Sequence, residues 1–229
     1  MYFVQNRVRC VKLLCAALAF LLSLSLMTVE AGAHTNFRKT IYSITVDDLD
    51  SDDLRLSIEA VYSCACAVRN YETTSRALIN AKRLLAVERS IGVPEIMIGM
   101  SLAAACSESC YNDFALGDHK FSKNREPKAV GILQLWPWVH RYGVDRKDLE
   151  SSAGFWLSHI MRLHSKTVKK CKPRTKLLSW RQAWVTGVRA PKKGGRCREV
   201  PKHWRNFKKI QKIKKAIEAG EFVDDPDGC

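Results

Sequence analysis

Residues 94–109 constrain the fold more than any other segment, because they are apolar on almost every side of the helix that their periodicity predicts. The apolar members are Ile96, Met97, Ile98, Met100, Leu102, Ala103, Ala104 and Ala105. A helix that is hydrophobic all round lies at the centre of a protein. Gly92 occupies an expected helix C-terminal position, and Pro94 can open the next helix. We therefore predict a central buried helix from Pro94 to about Ser109, with an acid, Glu108, at its exit.

Helical periodicity continues on both sides of this segment. Apolar residues recur every three or four positions from Asp52 to about Cys64 and from about Thr73 to Ile91, and further helices are expected near 151–165 and 177–186. Residues 112–130 are instead rich in Gly, Asp, Lys, Ser and Asn, which is typical of a loop or a short β-hairpin. The predicted fold class is mainly α.

The N-terminus has the features of a secretory signal peptide. Arg7, Arg9 and Lys12 precede an unbroken apolar and small-residue stretch from Leu13 to Val29, and the small residues 31–33 supply a cleavage site. The alternative is an uncleaved anchor, because this stretch is at the short end of what can span a bilayer. We expect an exported protein, periplasmic or extracellular, or one anchored to the membrane by this segment.

Cysteine content agrees with export. Seven of the nine cysteines lie after residue 33, and in an exported protein they are disulfide candidates. The odd number leaves at least one free or paired between chains, and Cys229 is the obvious candidate. Cys106 and Cys110 lie one helical turn apart around Glu108, so a disulfide from either would brace that acid; buried free thiols are the alternative.

A metal site is the competing interpretation of the cysteines. The two possible ligand sets are Cys64 and Cys66 with Cys106 and Cys110, or Cys171 and Cys197 with His203. Neither set matches a familiar zinc spacing. We therefore expect no metal and no cofactor.

The chain is strongly basic, with a formal net charge of +15, of which +13 remains once residues 1–33 are removed. From Lys166 to Lys215 there are 19 basic residues and one acid, a local charge of +18. Such a charge predicts an anionic partner. The candidates are a cell wall, an anionic lipid surface and a nucleic acid, since residues 202–215 interleave aromatic side chains with cations. The signal peptide and the lack of a nucleic-acid-binding motif argue against the last, and the oligomeric state is open.

Glu108 is the strongest candidate for a catalytic residue. A carboxyl group at the end of a buried helix is desolvated, and the helix dipole disfavours a negative charge at this end, so we expect its pKa to be raised. A carboxyl group that keeps its proton near neutral pH can donate it to a leaving oxygen. The alternative is a helix-end acid that points into water.

The residues after Glu108 form an ordered pattern. Glu108-Ser109 is followed by Tyr111-Asn112, by Gly117-Asp118 and by the run GILQLWP that ends at Pro137. This order resembles the soluble lytic transglycosylases, which carry a catalytic Glu-Ser pair, an aromatic-Asn pair and a later Gly-Leu-Met-Gln-like motif followed by Pro. The Gly-Asp pair is similar to that of goose-type lysozymes, which share the fold. The resemblance covers roughly residues 55–210 and implies a lysozyme-like α+β fold with a small β-hairpin or loop region near the active site.

The resemblance implies a role for each matched residue. Glu108 would be the single catalytic acid and base, and Asp118 the nearest thing to a second carboxylate. The residues expected to bind substrate are Ser109, Tyr111, Asn112, Gly131, Gln134 and Trp136. Trp136 and Trp138 are either sugar-stacking platforms or ordinary core aromatics. The family's downstream Tyr-Asn-Ala-Gly element is not found, and Ala183–Gly187 stands in its place, which leaves the second wall of the cleft open.

The number of carboxylates predicts the reaction. Glycosidases that hydrolyse with two carboxylates need a partner at a defined distance from the acid. With Glu108 alone, the expected activity is that of a peptidoglycan lytic transglycosylase, which cleaves the β-1,4 bond after N-acetylmuramic acid and leaves a 1,6-anhydro end. With Asp118 positioning water, the alternative is a lysozyme-type hydrolase. A third class is a non-catalytic protein that binds cell wall or nucleic acid through residues 166–215.

These features divide the chain into four parts. Residues 1–33 form the leader, and residues 34–53 form a polar acidic linker whose aspartates cap the first helix. Residues 54–210 would form the lysozyme-like transglycosylase domain that the resemblance implies, and residues 211–229 a charged C-terminal tail.

Overall fold

The computed structural model describes residues 46–122, 124–188 and 196–221. The predicted signal peptide, the first part of the linker, and Cys229 with the end of the acidic tail lie outside these residues. Helices make up most of the described chain: α1 (Ser51–Tyr62), α2 (Tyr71–Ile91), α3 (Met100–Ser109), α4 (Leu149–Cys171), α5 (Lys176–Val188) and α6 (Trp204–Glu218). The prediction of a mainly α protein is confirmed.

The first two helices begin where the sequence provides capping side chains. Asp50 accepts a hydrogen bond from the backbone N–H of Asp53 at the start of α1, as its place in the acidic linker predicts. Asn70 and Thr73 cap α2 reciprocally. The helix ends at Gly92, whose φ of 71° places it in the left-handed conformation expected of a C-terminal glycine. A bidentate pair between Arg89 of α2 and the buried Asp53 of α1 joins the two helices.

The predicted central helix is buried, but it does not begin at Pro94. A short 3-10 turn, Glu95–Met97, comes first, and α3 starts only after Gly99. Gly99 has a φ of 91°, and a Cβ atom there would collide with the side chain of Ile210. The left-handed residue interrupts the helix so that α6 can approach closely, and the prediction was wrong in this first part.

A buried acid occupies the turn before α3. Glu88 of α2 is fully buried, and its two carboxyl oxygens accept hydrogen bonds from the backbone N–H groups of Gly99 and Ser101, each at 2.5 Å. These are N–H groups at the start of a helix, which have no partner within the helix itself. Glu88 therefore ties the C-terminal part of α2 to the beginning of the central helix.

The segment after α3 contains the expected hairpin. Strands β1 (Leu116–Gly117) and β2 (Ala129–Val130) pair antiparallel, with Leu116 opposite Val130. A glycine is required just after β2, because Gly131 has a φ of 80° and a Cβ atom there would collide with the backbone carbonyl of Arg146.

The last three helices complete the core. α4 packs against α5 and α2, while α6 packs against α3 and α1. The buried face of α6 carries Phe207, Ile210 and Ile217. A domain boundary at residue 210 would therefore cut a helix that belongs to the core.

Three disulfides join the described cysteines: Cys64–Cys106, Cys66–Cys110 and Cys171–Cys197. The first two hold the end of α3 against the segment after α1, on either side of Glu108, as the sequence allowed. Disulfides indicate an oxidising, exported compartment. Within the described residues, no helix is both long and apolar enough to cross a membrane.

Candidate active site

A cleft of about 680 Å³ opens at the C-terminal end of α3. Its lining comes from four regions: the end of α3, the hairpin with the loop after it, the facing sides of α4 and α5, and the segment before α6. The side chains that concern the chemistry are Glu108, Asp118, Gln134, Trp136, Trp138, His159, Lys202 and His203. The cleft thus gathers residues that lie up to about a hundred positions apart, from Ala104 to His203.

Glu108 lies on the lining with 18% of its side chain exposed. Its Oε1 atom is 2.5 Å from Nζ of Lys202 and 3.0 Å from Nε2 of His203. Both partners precede α6, which packs against α3. The contact between these two helices therefore brings the acid and its partners together.

The predicted rise in the pKa of Glu108 is wrong. Burial does raise its pKa, but hydrogen bonds from His203 and Lys202 and their electrostatic attraction outweigh the burial, so the pKa lies below its ordinary value. The carboxyl group is therefore ionised near neutral pH in this state. The expectation failed because both donors come from a segment far along the chain.

His203 is almost completely buried beside the acid. For Nε2 to donate to Glu108 it must carry a proton, and Nδ1 has no hydrogen-bond partner among the described residues. The imidazole lies 6.0 Å, centroid to centroid, from the indole of the fully buried Trp184. This packing fixes the direction in which Nε2 points.

Lys202 differs from His203 in its freedom to move. Its side chain is 59% exposed, and it reaches Glu108 from the edge of the cleft. An exposed lysine keeps most of its rotamers and is stabilised by water elsewhere, so leaving the ion pair costs little. Lys202 is thus a displaceable partner of Glu108, whereas His203 is a fixed one.

The opposite side of the cleft is formed by the loop after the hairpin. The side-chain amide of Gln134 donates to the backbone carbonyls of Ala115 and Gly131, at 2.9 Å each. Nε1 of Trp136 donates to Oδ2 of Asp118 at 2.8 Å. Gln134 and Trp136 therefore both hold the loop in place while lining the cleft, and Asp118 orients the indole.

The two tryptophans of this loop are partly exposed, Trp136 by 38% and Trp138 by 42%. Trp138 packs edge-on against Phe155 and lies 6.2 Å from the ring of His159, which burial and nearby arginines keep below its ordinary pKa. Exposed indoles on a cleft wall have the flat apolar surface on which sugar rings stack.

Four of the residues expected to bind substrate do not line this cleft: Ser109, Tyr111, Asn112 and Gly131. Tyr111 is fully buried, and its backbone carbonyl accepts from Nδ2 of Asn80. Ser109 donates to the carbonyl of Ile132. Gly131 allows a close approach to protein backbone, not to a ligand. These residues connect α3 to the hairpin and the loop after it.

The segment in place of the missing family element does contribute to the cleft. Val185 and Gly187, near the end of α5, are on the lining, while Trp184 between them packs in the core. The second wall that the sequence left open is therefore made by α5 together with Val200 and Pro201.

Lys202, His203 and His159 line the cleft, and the sequence did not predict that any of them belongs to the site. His203 entered the sequence analysis only as a metal ligand, and Lys202 only as one of many cations. A usable signal was present, because Pro201, Lys202 and His203 directly precede a helix with apolar residues at Phe207 and Ile210. That pattern predicts a packed helix whose first turn can carry a site.

The cysteines near the site cannot act as the ligands of the alternative metal centre while they form disulfides. The Sγ atoms of Cys64, Cys66 and Cys106 lie within 4.8 Å of one another, which is close enough to bind one metal ion if the three were free thiolates. All three are in disulfides, however, and a disulfide sulfur is not the thiolate that binds zinc. The residues of this cluster therefore fit a structural brace.

Comparison of the chain with protein-family models, with curated proteins and with solved structures finds no significant match. The interpretation of the cleft rests on its geometry and on the motif pattern of the sequence.

Proposed function

We propose that the protein cleaves peptidoglycan glycan strands as a lytic transglycosylase, with Glu108 as the single general acid and base. The observation that carries this proposal is the position of Glu108: a largely buried carboxyl group on the lining of a cleft with partly exposed tryptophans on its wall. The motif order from Glu108 to Gln134 supports the same reaction. The proposal includes a lysozyme-like fold, which the acid at a helix end and the hairpin that follows it favour.

The reaction begins with a proton on Glu108. The carboxyl group donates this proton to the bridging oxygen as the bond from C1 of N-acetylmuramic acid breaks. The resulting carboxylate then accepts the proton of the 6-hydroxyl of the same sugar, while that oxygen attacks C1. The products are a 1,6-anhydro end and a free 4-hydroxyl, and Glu108 regains its proton.

The resting ion pair sets a condition on this sequence. Lys202 and His203 favour the carboxylate, which is the form that acts in the second step. The first step requires the acid form, so Lys202 has to leave when the substrate binds. Exclusion of water by the bound strand then favours the protonated group.

Replacement of Glu108 by glutamine tests the proposal. The amide keeps the shape of the side chain but cannot donate an acidic proton, so clearance of purified cell walls should fall at least about 100-fold. Glu126→Gln, an exposed acid away from the cleft lining, is the matched control and should clear walls normally. Unchanged clearance by Glu108→Gln would show that Glu108 is not the catalytic acid, whereas a wild-type protein that binds walls without clearing them would be a non-catalytic wall-binding protein.

A lysozyme-type hydrolase is the second candidate, because Asp118 lines the same cleft. Oδ2 of Asp118 is already bonded to Trp136, which favours a positioning role over activation of water. Mass analysis of the products separates the two reactions, since a hydrolysed end is heavier than an anhydro end by one water molecule. If hydrolysed ends dominate and disappear in Asp118→Asn, the protein is a hydrolase.

The proposed setting follows from the disulfides and the charge. An enzyme of this kind works in the periplasm or outside the cell, free or held by the N-terminal segment. The basic segment 166–215 would keep it on the anionic wall. A nucleic-acid partner is disfavoured, because Trp204 and Phe207 pack against Trp184 and each other, leaving them poorly placed to stack on bases.

A further inference from the structure

A second pocket, of about 440 Å³, lies at the start of α6. Its lining consists of Val200, Pro201, Lys202, Trp204, Arg205, Asn206 and Lys208. The first three of these residues also line the main cleft. Lys202 therefore belongs to both cavities, and it is one of the two residues that contact Glu108.

Two of the three cations that line the pocket have no ion-pair partner in the described chain, and the third is Lys202. Arg205 and Lys208 are exposed, and no described acid pairs with either of them. By contrast, Lys214 on the same helix pairs with Glu95 and Glu218. Within the described chain, the positive charge at the start of α6 thus faces open space, which attracts an anion.

The packing of α6 restricts the kind of molecule that can carry this anion. Phe207, Ile210 and Ile217 are buried in the core, so the helix has no free apolar face to insert into a bilayer. The pocket shares Val200, Pro201 and Lys202 with the lining of the main cleft, so a strand bound in the cleft can place its own substituents beside the pocket. An acidic group on that strand is the occupant that fits both the charge and the position.

We propose that this pocket is a subsite for a carboxylate carried by the muramic sugar or its peptide, and that a carboxylate bound there takes Lys202 away from Glu108. This inference rests on the proposed function. The ammonium group exchanges one carboxylate for another, and a proton from the solvent then joins Glu108. Arrival of the acidic substrate thereby converts Glu108 into the form that the first step of cleavage requires.

The groups around Glu108 determine the direction in which its pKa changes when Lys202 leaves. Lys202 and His203 both contact the carboxylate, and Asp118 and His159 line the same cleft. Loss of Lys202 leaves His203 as the remaining contact, while burial continues to favour the neutral acid. The pKa of Glu108 therefore rises when the pocket is filled.

Three soluble probes test the subsite and distinguish the two sources of the carboxylate. They are the disaccharide of N-acetylglucosamine and N-acetylmuramic acid with its free lactyl carboxylate, the same disaccharide as the lactyl amide, and the disaccharide carrying an alanyl-glutamate dipeptide. Calorimetry should show at least tenfold tighter binding of one or both acids than of the amide. The acid that gains affinity identifies the source.

In the variant Arg205→Gln/Lys208→Gln, the preferred acid should bind less than twofold more tightly than the amide. Lys209→Gln removes one charge from the same helix outside the pocket lining and should keep the preference. In the wild-type protein, carboxyl ¹³C NMR should show the Glu108 pKa rising with the preferred acid and not with the amide. A non-titrating signal from Glu108→Gln assigns the resonance.

The proposal is overturned if acids and amide bind equally, if neither binds, if the preference survives in the double variant, or if the acid leaves the Glu108 pKa unchanged. None of these measurements depends on cleavage. If wall clearance requires Glu108 but the probes fail, the proposed function stands and the subsite does not. If the probes succeed but the wild-type protein does not clear walls, the subsite stands and the proposed function does not.

Discussion

At the residue scale, two acids on neighbouring helices show how partners decide the state of a buried carboxyl group. Glu108 has a cation and an imidazole within 3.0 Å, and its pKa is lowered. Glu88 is more deeply buried and has backbone N–H groups as its hydrogen-bond donors. Burial raises the pKa of Glu88 to about 7, although the hydrogen bonds from Ser101 and Gly99 act in the opposite direction. The two acids therefore respond to pH in different ranges.

Glu88 should make the protein less stable as the pH rises from about 4.5 to about 7. In this range the folded state keeps the proton that the unfolded state has lost, so the folded state binds more protons. The shift corresponds to about 3 kcal/mol of unfolding free energy, fully present below pH 4.5 and lost above pH 7. Urea unfolding at pH 5 and pH 8 measures it.

Glu88→Gln is the comparison for this measurement. The amide does not titrate, so its unfolding free energy should change by about 2–3 kcal/mol less than that of the wild type between the two pH values. Equal pH dependence in the two proteins would mean that Glu88 keeps the same protonation state in the folded and unfolded chains. Glu108 acts oppositely, because a lowered pKa gives stability that is lost only at more acidic pH.

The sequence predicted which residue is the candidate acid, but it did not predict the protonation state of that residue. Glu108 stands out because it ends an apolar helix and begins a motif pattern, both of which are local features. Its pKa depends on Lys202 and His203, which only the packing of α6 brings near. Glu88 was missed for the same reason, since nothing in its local sequence shows that the turn before α3 encloses it.

At the element scale, two disulfides brace the same helix end. Cys64–Cys106 and Cys66–Cys110 span 42 and 44 residues and connect nearly the same two points of the chain. Either bridge alone closes the long loop in the unfolded chain, and the second then closes only a very short one. The loop-entropy argument therefore predicts that the two contributions are strongly coupled.

Removing one bridge by replacing both of its cysteines with alanine should cost about 2 kcal/mol, and removing both bridges about 6 kcal/mol. The excess appears because only the double removal opens the long loop. Urea unfolding of the two single-bridge variants and the four-alanine variant measures the coupling. Simple addition of the two single costs would show that the bridges act through local packing instead of loop closure.

The elements themselves were predicted with uneven success. Capping residues and periodicity placed α1, α2 and the Gly92 stop correctly, because these signals are local. The start of α3 was wrong because Gly99 serves a contact with Ile210, more than a hundred positions away. The sequence predicts only a basic segment and a charged tail where α6 lies, because the many cations of this helix outnumber the three apolar residues that it buries in the core.

At the scale of the whole molecule, most of the core and most of the positive charge come from different parts of the chain. The chain before residue 150 supplies most of the core and the acid, while the basic segment 166–215 supplies part of the cleft wall and the positive surface. The sequence predicted the charge and its location. It did not predict that the same segment completes the candidate site, because that depends on how α6 packs against α1 and α3.

Binding to purified cell walls should weaken steeply with salt. Charges on the exposed surface act over about 8 Å at physiological ionic strength and over less at higher salt. We expect the affinity of the Glu108→Gln protein, which leaves the wall intact, to fall at least about tenfold between about 0.05 M and about 0.5 M sodium chloride. Co-sedimentation measures the bound fraction. Binding that salt does not weaken would assign attachment to the neutral sugar contacts of the cleft.

The location of Lys202 and His203 has a consequence for biosynthesis. The candidate acid is made in the first half of the chain, but the two groups that contact it and the helix that holds them are made near the end. A chain interrupted before residue 200 would contain Glu108 without the wall that encloses it. Under the proposed function, we therefore expect cleavage to begin only after the whole chain has been made and its last helix has docked, so that a truncated copy is inactive.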